Sequence, residues 1–243
     1  MRDRVTGAPA APRILALDAA GGACSAAIWC DGAVRGSRFE LMRRGQSERL
    51  MPMVEAAMRD SGTSYSELDL ITATRGPGGF TGVRIGLATA RGLALASRKP
   101  LFAVSNFEVV ATATSVEERA GRTLAVLLDA KRDDFYLQCF DSELKALDEP
   151  RACLPENLPR ALPHPRSPLS GLLLAGDAVE QGLPGLEGFG AVAVADEARH
   201  ADARVLARLA ASAGEGAFGM GRAERAQPLY LRAPDVTQPR ART

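Results

Sequence analysis

The stretch Ile14-Leu-Ala-Leu-Asp18, an apolar run closed by an acid, recurs in the second half of the chain as Thr123-Leu-Ala-Val-Leu-Leu-Asp129. Each run has the length of a buried strand, and each is followed by further strand-like runs. Cys24 to Cys30 and Ala33 to Leu41 follow the first; Phe135 to Phe140 and a third candidate around Leu144 to Leu147 follow the second. Asp31-Gly32 is a tight-turn signal, so the first three runs predict a meander. From Ser47 the apolar positions Leu50, Met51, Val54, Ala57 and Met58 recur at helical spacing, Gly62 is a stop, and Pro52 either fits a helix that starts late or introduces a kink near the first turn. Leu68 to Thr74 predicts a strand, Thr81 to Ser97 a long helix, Leu101 to Val104 a strand and Asn106 to Thr114 a short helix. In the second half Gly171 to Ala175 and Ala191 to Ala195 predict strands. Asp202 is placed to cap a helix carrying Val205, Leu206 and Leu209, with Gly214 as its stop. The order is α/β with a mixed sheet, and the echo predicts duplication of one βββαβαβα unit.

The composition agrees with a folded chain: of 243 residues, 46% are hydrophobic and 24% charged. Thirty Lys+Arg against 29 Asp+Glu leave a net charge of +1, so no global field draws the molecule onto nucleic acid or an anionic membrane. Cys24, Cys30, Cys139 and Cys153 form no CxxC pair, and the two histidines, His164 and His200, lie far apart and read as solvated. That pattern argues against a zinc site or disulfide framework and for a reducing compartment. No run reaches the roughly 18 apolar residues of a membrane span, and no signal-peptide pattern opens the chain. The expected division is a disordered leader at 1–12, a first lobe at 13–115, a second at 120–215, a segment at 216–232 returning to the first lobe, and a disordered tail at 233–243.

Two features could carry function. The turn Arg75-Gly-Pro-Gly-Gly-Phe-Thr-Gly82 lies between a buried strand and a helix, where backbone N–H groups at a positive helix end suit an anion. A plain strand-to-helix turn is the equal alternative, and the spacing is neither that of a Walker A loop nor that of a dinucleotide fingerprint. With the acids that end matching strands, the turn outlines a vestigial anion or nucleotide site: Asp18, Gly76, Gly78, Gly79, Thr81 and Asp129. A carboxylate at a strand end can hold Mg²⁺ and nucleotide phosphates, but more often it caps a turn, and Ala19-Ala-Gly-Gly22 offers no hydroxyl. No catalytic residue and no metal ligand set can be picked out. The second feature is the long helix, where Gly82, Gly86, Ala90 and Ala94 fall four apart, as do Ala88, Gly92 and Ala96. Interior glycines cost about 0.5–1 kcal/mol each, so closely packed neighbours should compensate. Those neighbours are either the preceding helix or a partner subunit. The partner reading assigns an interface to Leu50, Met51, Val54, Met58, Gly82, Gly86, Ala90 and Leu93.

Five segments together resemble the TsaB (YeaZ) family: Ile14-Leu-Ala-Leu-Asp18, Gln46-Ser-Glu-Arg-Leu50 with Pro52, Arg75-Gly-Pro-Gly-Gly-Phe-Thr-Gly-Val-Arg-Ile-Gly-Leu87, Leu128-Asp-Ala-Lys-Arg132 and Pro228-Leu-Tyr-Leu-Arg232. The likeness runs from about Arg13 to Arg232. It implies two actin-like (ASKHA, RNase H-like) lobes, each a mixed sheet flanked by helices, in a cytoplasmic protein with no cofactor of its own. It further implies a non-catalytic subunit that pairs with its paralogue TsaD, the threonylcarbamoyltransferase, and is joined by the ATPase TsaE. That complex makes N6-threonylcarbamoyladenosine (t6A37) in tRNA, so tRNA is met through the complex; self-pairing without TsaD is left open. Where the family usually carries His, Ser and a run of hydroxyls, this chain has Gln46, Gly79 and Ala19-Ala20-Gly21, and each change removes a polar group that could have met nucleotide or metal. The competing function is an ATP-dependent phosphotransferase of the same superfamily, resting on Asp18, Asp129 and the glycine turn. A protease is weaker still, because no nucleophile–base pair or zinc motif is present.

Overall fold

Strand β1 (Ile14–Asp18) is the hub of the first sheet. On one side β2 (Ala23–Cys30) runs antiparallel to it and β3 (Ala33–Leu41) completes the meander. On the other side β4 (Leu70–Thr74) and β5 (Leu101–Val104) run parallel, giving the order β3-β2-β1-β4-β5. The computed structural model describes residues 11–163, 171–218 and 226–232, and within them the arrangement is built a second time. Around β6 (Arg122–Asp129), the antiparallel strands β7 (Phe135–Phe140) and β8 (Arg151–Cys153) lie on one side, and the parallel β9 (Gly171–Ala175) and β10 (Val192–Val194) on the other. The two five-stranded sheets repeat one connectivity and one pattern of directions, that of paired actin-like lobes.

Helices α1 (Gln46–Ser61) and α2 (Phe80–Ser97) cover one face of the first sheet, burying Leu50, Val54, Val83, Leu87 and Ala90 against Leu15 and Leu17. The alternate residues Ile14 and Ala16 point the other way, toward α3 (Asn106–Ala113) and α7 (Ala203–Ser212). Both faces are covered, which is why β1 reads as a continuous apolar run and not as an alternating one. α4 (Val116–Arg119) leads into β6. α5 (Leu158–Ala161) and α6 (Val179–Gly182) pack on the outer face of the second sheet beside Leu127 and Phe135, and α8 (Glu215–Phe218) follows α7.

Two expectations need correction, and one open alternative is decided. The third strand of the second unit is Arg151–Cys153, not Leu144 to Leu147, where a single bridge joins Phe140 and Ala146. The Asp141 carboxylate accepts the N–H groups of Glu143 (3.0 Å) and Lys145 (2.8 Å), and Leu144 has φ 66°, so an Asx-type turn reverses the chain before a strand can extend. The boundary at 120–215 does not enclose a separate packing unit, because α7 lies on β1, β2 and β3 of the first lobe. Ser25 Oγ on β2 accepts the Ala203 N–H at 3.0 Å, and the inter-sheet core combines Phe107 and Leu206 with Leu124 and Val126 of β6. The alternative concerns Pro52: α1 starts at Gln46, so Pro52 does not mark a late start but stands in the helix interior; it is exposed, on the same side as Glu48, whose carbonyl it cannot serve.

The segment Ala226–Arg232 straps the two lobes. Ala226 is buried in the α1–α2 core, the Leu229 N–H donates to the Arg75 carbonyl at 2.7 Å, and Leu231 packs in the inter-sheet core. Arg232 pairs with Asp134 of the second lobe, whose side chain is 3% exposed. Removing the cation strands a buried carboxylate, so Arg232→Ala should cost about 1–3 kcal/mol. Thermal unfolding at pH 7 should show a midpoint lower by several degrees; an unchanged midpoint would mean that the pair contributes nothing. The leader and tail expected at 1–12 and 233–243, and His164, lie wholly or mostly outside the described residues.

Candidate functional site: the interlobe cleft and an outward helix face

Asp18 closes β1 and is 1% exposed. Its Oδ1 accepts the Thr74 hydroxyl from the end of β4, the Asn106 side-chain N–H at 3.2 Å from the start of α3, and the Ala20 N–H at 3.3 Å. Asn106 ties in the glycine turn: its Oδ1 accepts the Gly76 N–H at 2.9 Å, and its own N–H donates to the Gly76 carbonyl at 2.9 Å. Oδ2 has no partner among the described residues. Burial raises the Asp18 pKa to about 6 against the pull of these donors. The carboxyl is thus a hub joining three elements, enclosed and not presented to a ligand.

The glycine turn is closed by the chain's own backbone. A Cβ on Gly78 would lie 2.2 Å from the Ala20 carbonyl oxygen, and one on Gly82 would lie 2.2 Å from that of Ala19. The Gly79 N–H donates to the Ala20 carbonyl at 2.8 Å. Glycine is required here because two backbones touch, so the loop after β1 and the start of α2 form one packed unit. Gly76 has φ 92°, a left-handed value that favours glycine, and Thr81 is exposed at the mouth of the cleft.

Between the lobes lies a cleft of about 820 Å³, lined by Arg43, Arg44, Thr81, Asp129, Lys131 and Arg132 among others. Asp129 accepts the Lys131 N–H and Nζ, each at 2.6 Å, and its own N–H donates to Asp177 Oδ1 at 2.8 Å. This acid caps its turn and pairs locally; it does not converge with Asp18. Asp177 is pushed up by burial, but His200 and the Asp129 N–H outweigh that and hold it below the usual carboxylate range. His200 is not the solvated side chain expected: it packs against the Gly22 turn of the first lobe, with Nδ1 3.5 Å from Asp177 Oδ2. Among the described residues no three His, Cys, Asp or Glu side chains gather as a metal site. The four cysteines are buried and unpaired.

The proposed interface residues divide by orientation. Leu50, Val54, Met58, Gly86 and Ala90 are buried within their own lobe, and Gly82 abuts Ala19; as side chains they belong to the core. Met51 and Leu93 are half-buried. The small-residue stripe that reaches solvent is the other one, Ala88, Gly92 and Ala96, flanked by Leu95, which is 82% exposed, and by Arg84, Arg91 and Arg98. Those arginines and Leu95 were absent from the sequence-based site, although their spacing along α2 is visible there. The donors to Asp18, Thr74 and Asn106, carry no local signal because they arrive from distant strand and helix ends.

Two actin-like lobes whose glycine turn packs against the chain's own backbone define a member of the actin-like class. Comparison with known proteins narrows the class. A family profile described as TsaD, tRNA N6-adenosine threonylcarbamoyltransferase, matches residues 36–156. The chain is 43% identical over 124 residues to the tRNA threonylcarbamoyladenosine biosynthesis protein TsaB of Escherichia coli (strain K12), a match spanning 51% of this chain and 53% of that protein. A tRNA N6-adenosine threonylcarbamoyltransferase of Erythrobacter litoralis is 46% identical over 69 residues, 28% of this chain and 20% of that protein. A solved structure from Pseudomonas aeruginosa, described as an uncharacterized protein with similarity to the peptidase YeaZ, superposes with TM-score 0.75 at 32% identity, covering 91% of this chain and all of that one. YeaZ from the same organism superposes with TM-score 0.71 at 29% identity. The chain belongs to the TsaB (YeaZ) family. It spans about half the length of the E. coli relative it matches.

Proposed function

We propose that this protein is the non-catalytic, activating subunit of a cytoplasmic complex that makes N6-threonylcarbamoyladenosine in tRNA. It pairs with a TsaD-type paralogue that carries the catalytic site, and a TsaE-type ATPase joins the assembly. The observation that carries this reading is the closely packed glycine turn: the carbonyls of Ala19 and Ala20 lie where side chains of Gly82 and Gly78 would project, and Asp18 is spent on holding the fold. A chain that packs its glycine turn against its own backbone and buries Asp18, while keeping both lobes and an exposed helix face, is better fitted to bind a protein than to turn over a nucleotide. The names of its relatives point to the same pathway. The docking surface is the solvent side of α2 with the adjoining Met51 of α1.

The basic cleft beside Arg43, Arg44 and Lys131 supports a second reading, an ATP-dependent phosphotransferase. Isothermal titration of the purified chain with Mg-ATP separates the two. The proposed role predicts no binding tighter than about millimolar and no ADP formation; micromolar binding with turnover would establish the enzyme.

A further inference from the structure

The strap Ala226–Arg232 is fastened to the first lobe at several points. Arg91 of α2 donates to the Ala226 carbonyl at 2.6 Å, the Leu229 N–H donates to the Arg75 carbonyl at 2.7 Å, and Arg84 Nε donates to the Tyr230 hydroxyl at 2.9 Å. The Tyr230 and Phe80 ring centroids are 5.4 Å apart. A Cβ on Gly76 would lie 3.2 Å from the Leu229 carbonyl oxygen, so the strap is laid directly on the glycine turn. Leu231 then enters the inter-sheet core, and Arg232 pairs with the buried Asp134 of the second lobe. These two anchorages belong to the two walls of the cleft. Gly79 and Phe80, which line it from the first lobe, continue the turn that holds Leu229; Lys131 and Arg132, which line it from the second, stand just before Asp134.

Two lobes of one chain rock against each other unless something holds them, and in clefts that close on a ligand the ligand does so by touching both walls. Here the chain carries a bridge of its own. We propose that the strap is a built-in brace: it fixes the width of the interlobe cleft with no ligand present, and the Arg232–Asp134 pair is the contact that completes it. Ala203 bonded to Ser25 and His200 packed on the Gly22 turn also join the lobes, but both act through the short stretch 200–203. A body held along one line can still turn about that line. The strap is anchored elsewhere, on the turn that ends at Asp134, and a second anchorage off the line removes the rotation. A buried ion pair suits this task, because its net stabilisation is small while its geometry selects one arrangement over near alternatives. The brace concerns the cleft of this chain alone and stands whether or not a TsaD-type subunit is its partner.

The test is the distance between spin labels on Glu55→Cys in the first lobe and Glu187→Cys in the second, measured by pulsed electron–electron double resonance on the full chain. Both positions are exposed, and the four native cysteines are buried, so labelling is selective. Diluting labelled chain into an excess of unlabelled chain keeps distances between molecules out of the signal. The brace predicts one narrow distribution whose centre moves by less than about 2 Å when Mg-ATP is added. Arg232→Ala/Asp134→Asn removes the pair without stranding a buried carboxylate, and it should widen the distribution about twofold or more. Tyr230→Phe loses a hydroxyl whose partner, Arg84, is in the first lobe, and it should leave the distribution unchanged. A wild-type distribution that is already broad, or that shifts by several ångströms with Mg-ATP, would overturn the brace. So would a folded double variant as narrow as wild type, because the inter-sheet core alone would then fix the angle. Should circular dichroism show the double variant unfolded, hydrogen exchange of the wild-type chain decides. A Leu229 amide protected to within about tenfold of the β1 amides upholds a strap that stays down; exchange at the rate of an unprotected amide overturns it.

Discussion

Gly82→Val is expected to cost at least 3 kcal/mol and to leave the first lobe unfolded, or melting about 10 °C lower, while Gly92→Ala in the same helix should be neutral or slightly stabilising. The two glycines look alike in the sequence. A Cβ on Gly82 would stand 2.2 Å from the Ala19 carbonyl oxygen, a backbone atom that cannot move without dragging the end of β1 with it, whereas Gly92 has nothing within 4 Å. At Gly92 the only effect is the gain from alanine's better helix propensity, about 0.5–1 kcal/mol. Thermal unfolding of both variants by circular dichroism reads the difference. Equal midpoints would mean that the contact between α2 and the β1 loop is not as close as described.

The second large effect concerns the pH dependence set by Asp18. Its pKa is raised from 3.8 in the unfolded chain to about 6 in the fold, so the folded state binds this proton more tightly. Stability from this group is therefore fully present below about pH 4 and lost as pH rises through about 6, by about 2–3 kcal/mol in all. Asp18→Asn keeps an acceptor for Thr74, Asn106 and the Ala20 N–H but cannot ionise. The difference in unfolding free energy, wild type minus Asp18→Asn, should fall by that amount between pH 4 and pH 7, while titrations common to both proteins cancel. Urea unfolding at the two pH values measures it. A constant difference would show that the carboxyl is not enclosed. Asp18→Ala should be worse than Asn at every pH, because it leaves three buried or half-buried donors without an acceptor.

Much of the fold was legible because its signals are local. The run Ile14 to Asp18, the turn at Asp31-Gly32, the strand Leu101 to Val104 and the cap at Asp202 each depend on a few adjacent residues, and the structure places elements there. Legibility stopped where long-range packing decides. The two small-residue stripes of α2 share one spacing, and only contact with Ala19 and Ala20 determines that Gly82, Gly86 and Ala90 face inward while Ala88, Gly92 and Ala96 face out. Asp18 alone reads as a ligand or, more often, as a turn cap; its partners Thr74 and Asn106 lie far along the chain and turn it into a structural hub. The strap is similar, since Pro228 to Arg232 carries no periodicity and takes its meaning from Arg75, Phe80, Arg84 and Asp134.

The central claim, an activating subunit without chemistry of its own, is met most directly by reconstitution. Threonylcarbamoyladenosine formed in tRNA would be measured by mass spectrometry with the TsaD-type and TsaE-type subunits, an activated threonylcarbamoyl donor and ATP, in the presence of wild-type chain, of Asp129→Ala/Lys131→Ala, or of no chain. Modification should depend on the chain and proceed at the wild-type rate, within about threefold, when its cleft residues are removed. A loss of more than about a hundredfold, some 2.7 kcal/mol of barrier, in a folded cleft variant that still binds its partner would contradict the claim and place chemistry in the cleft.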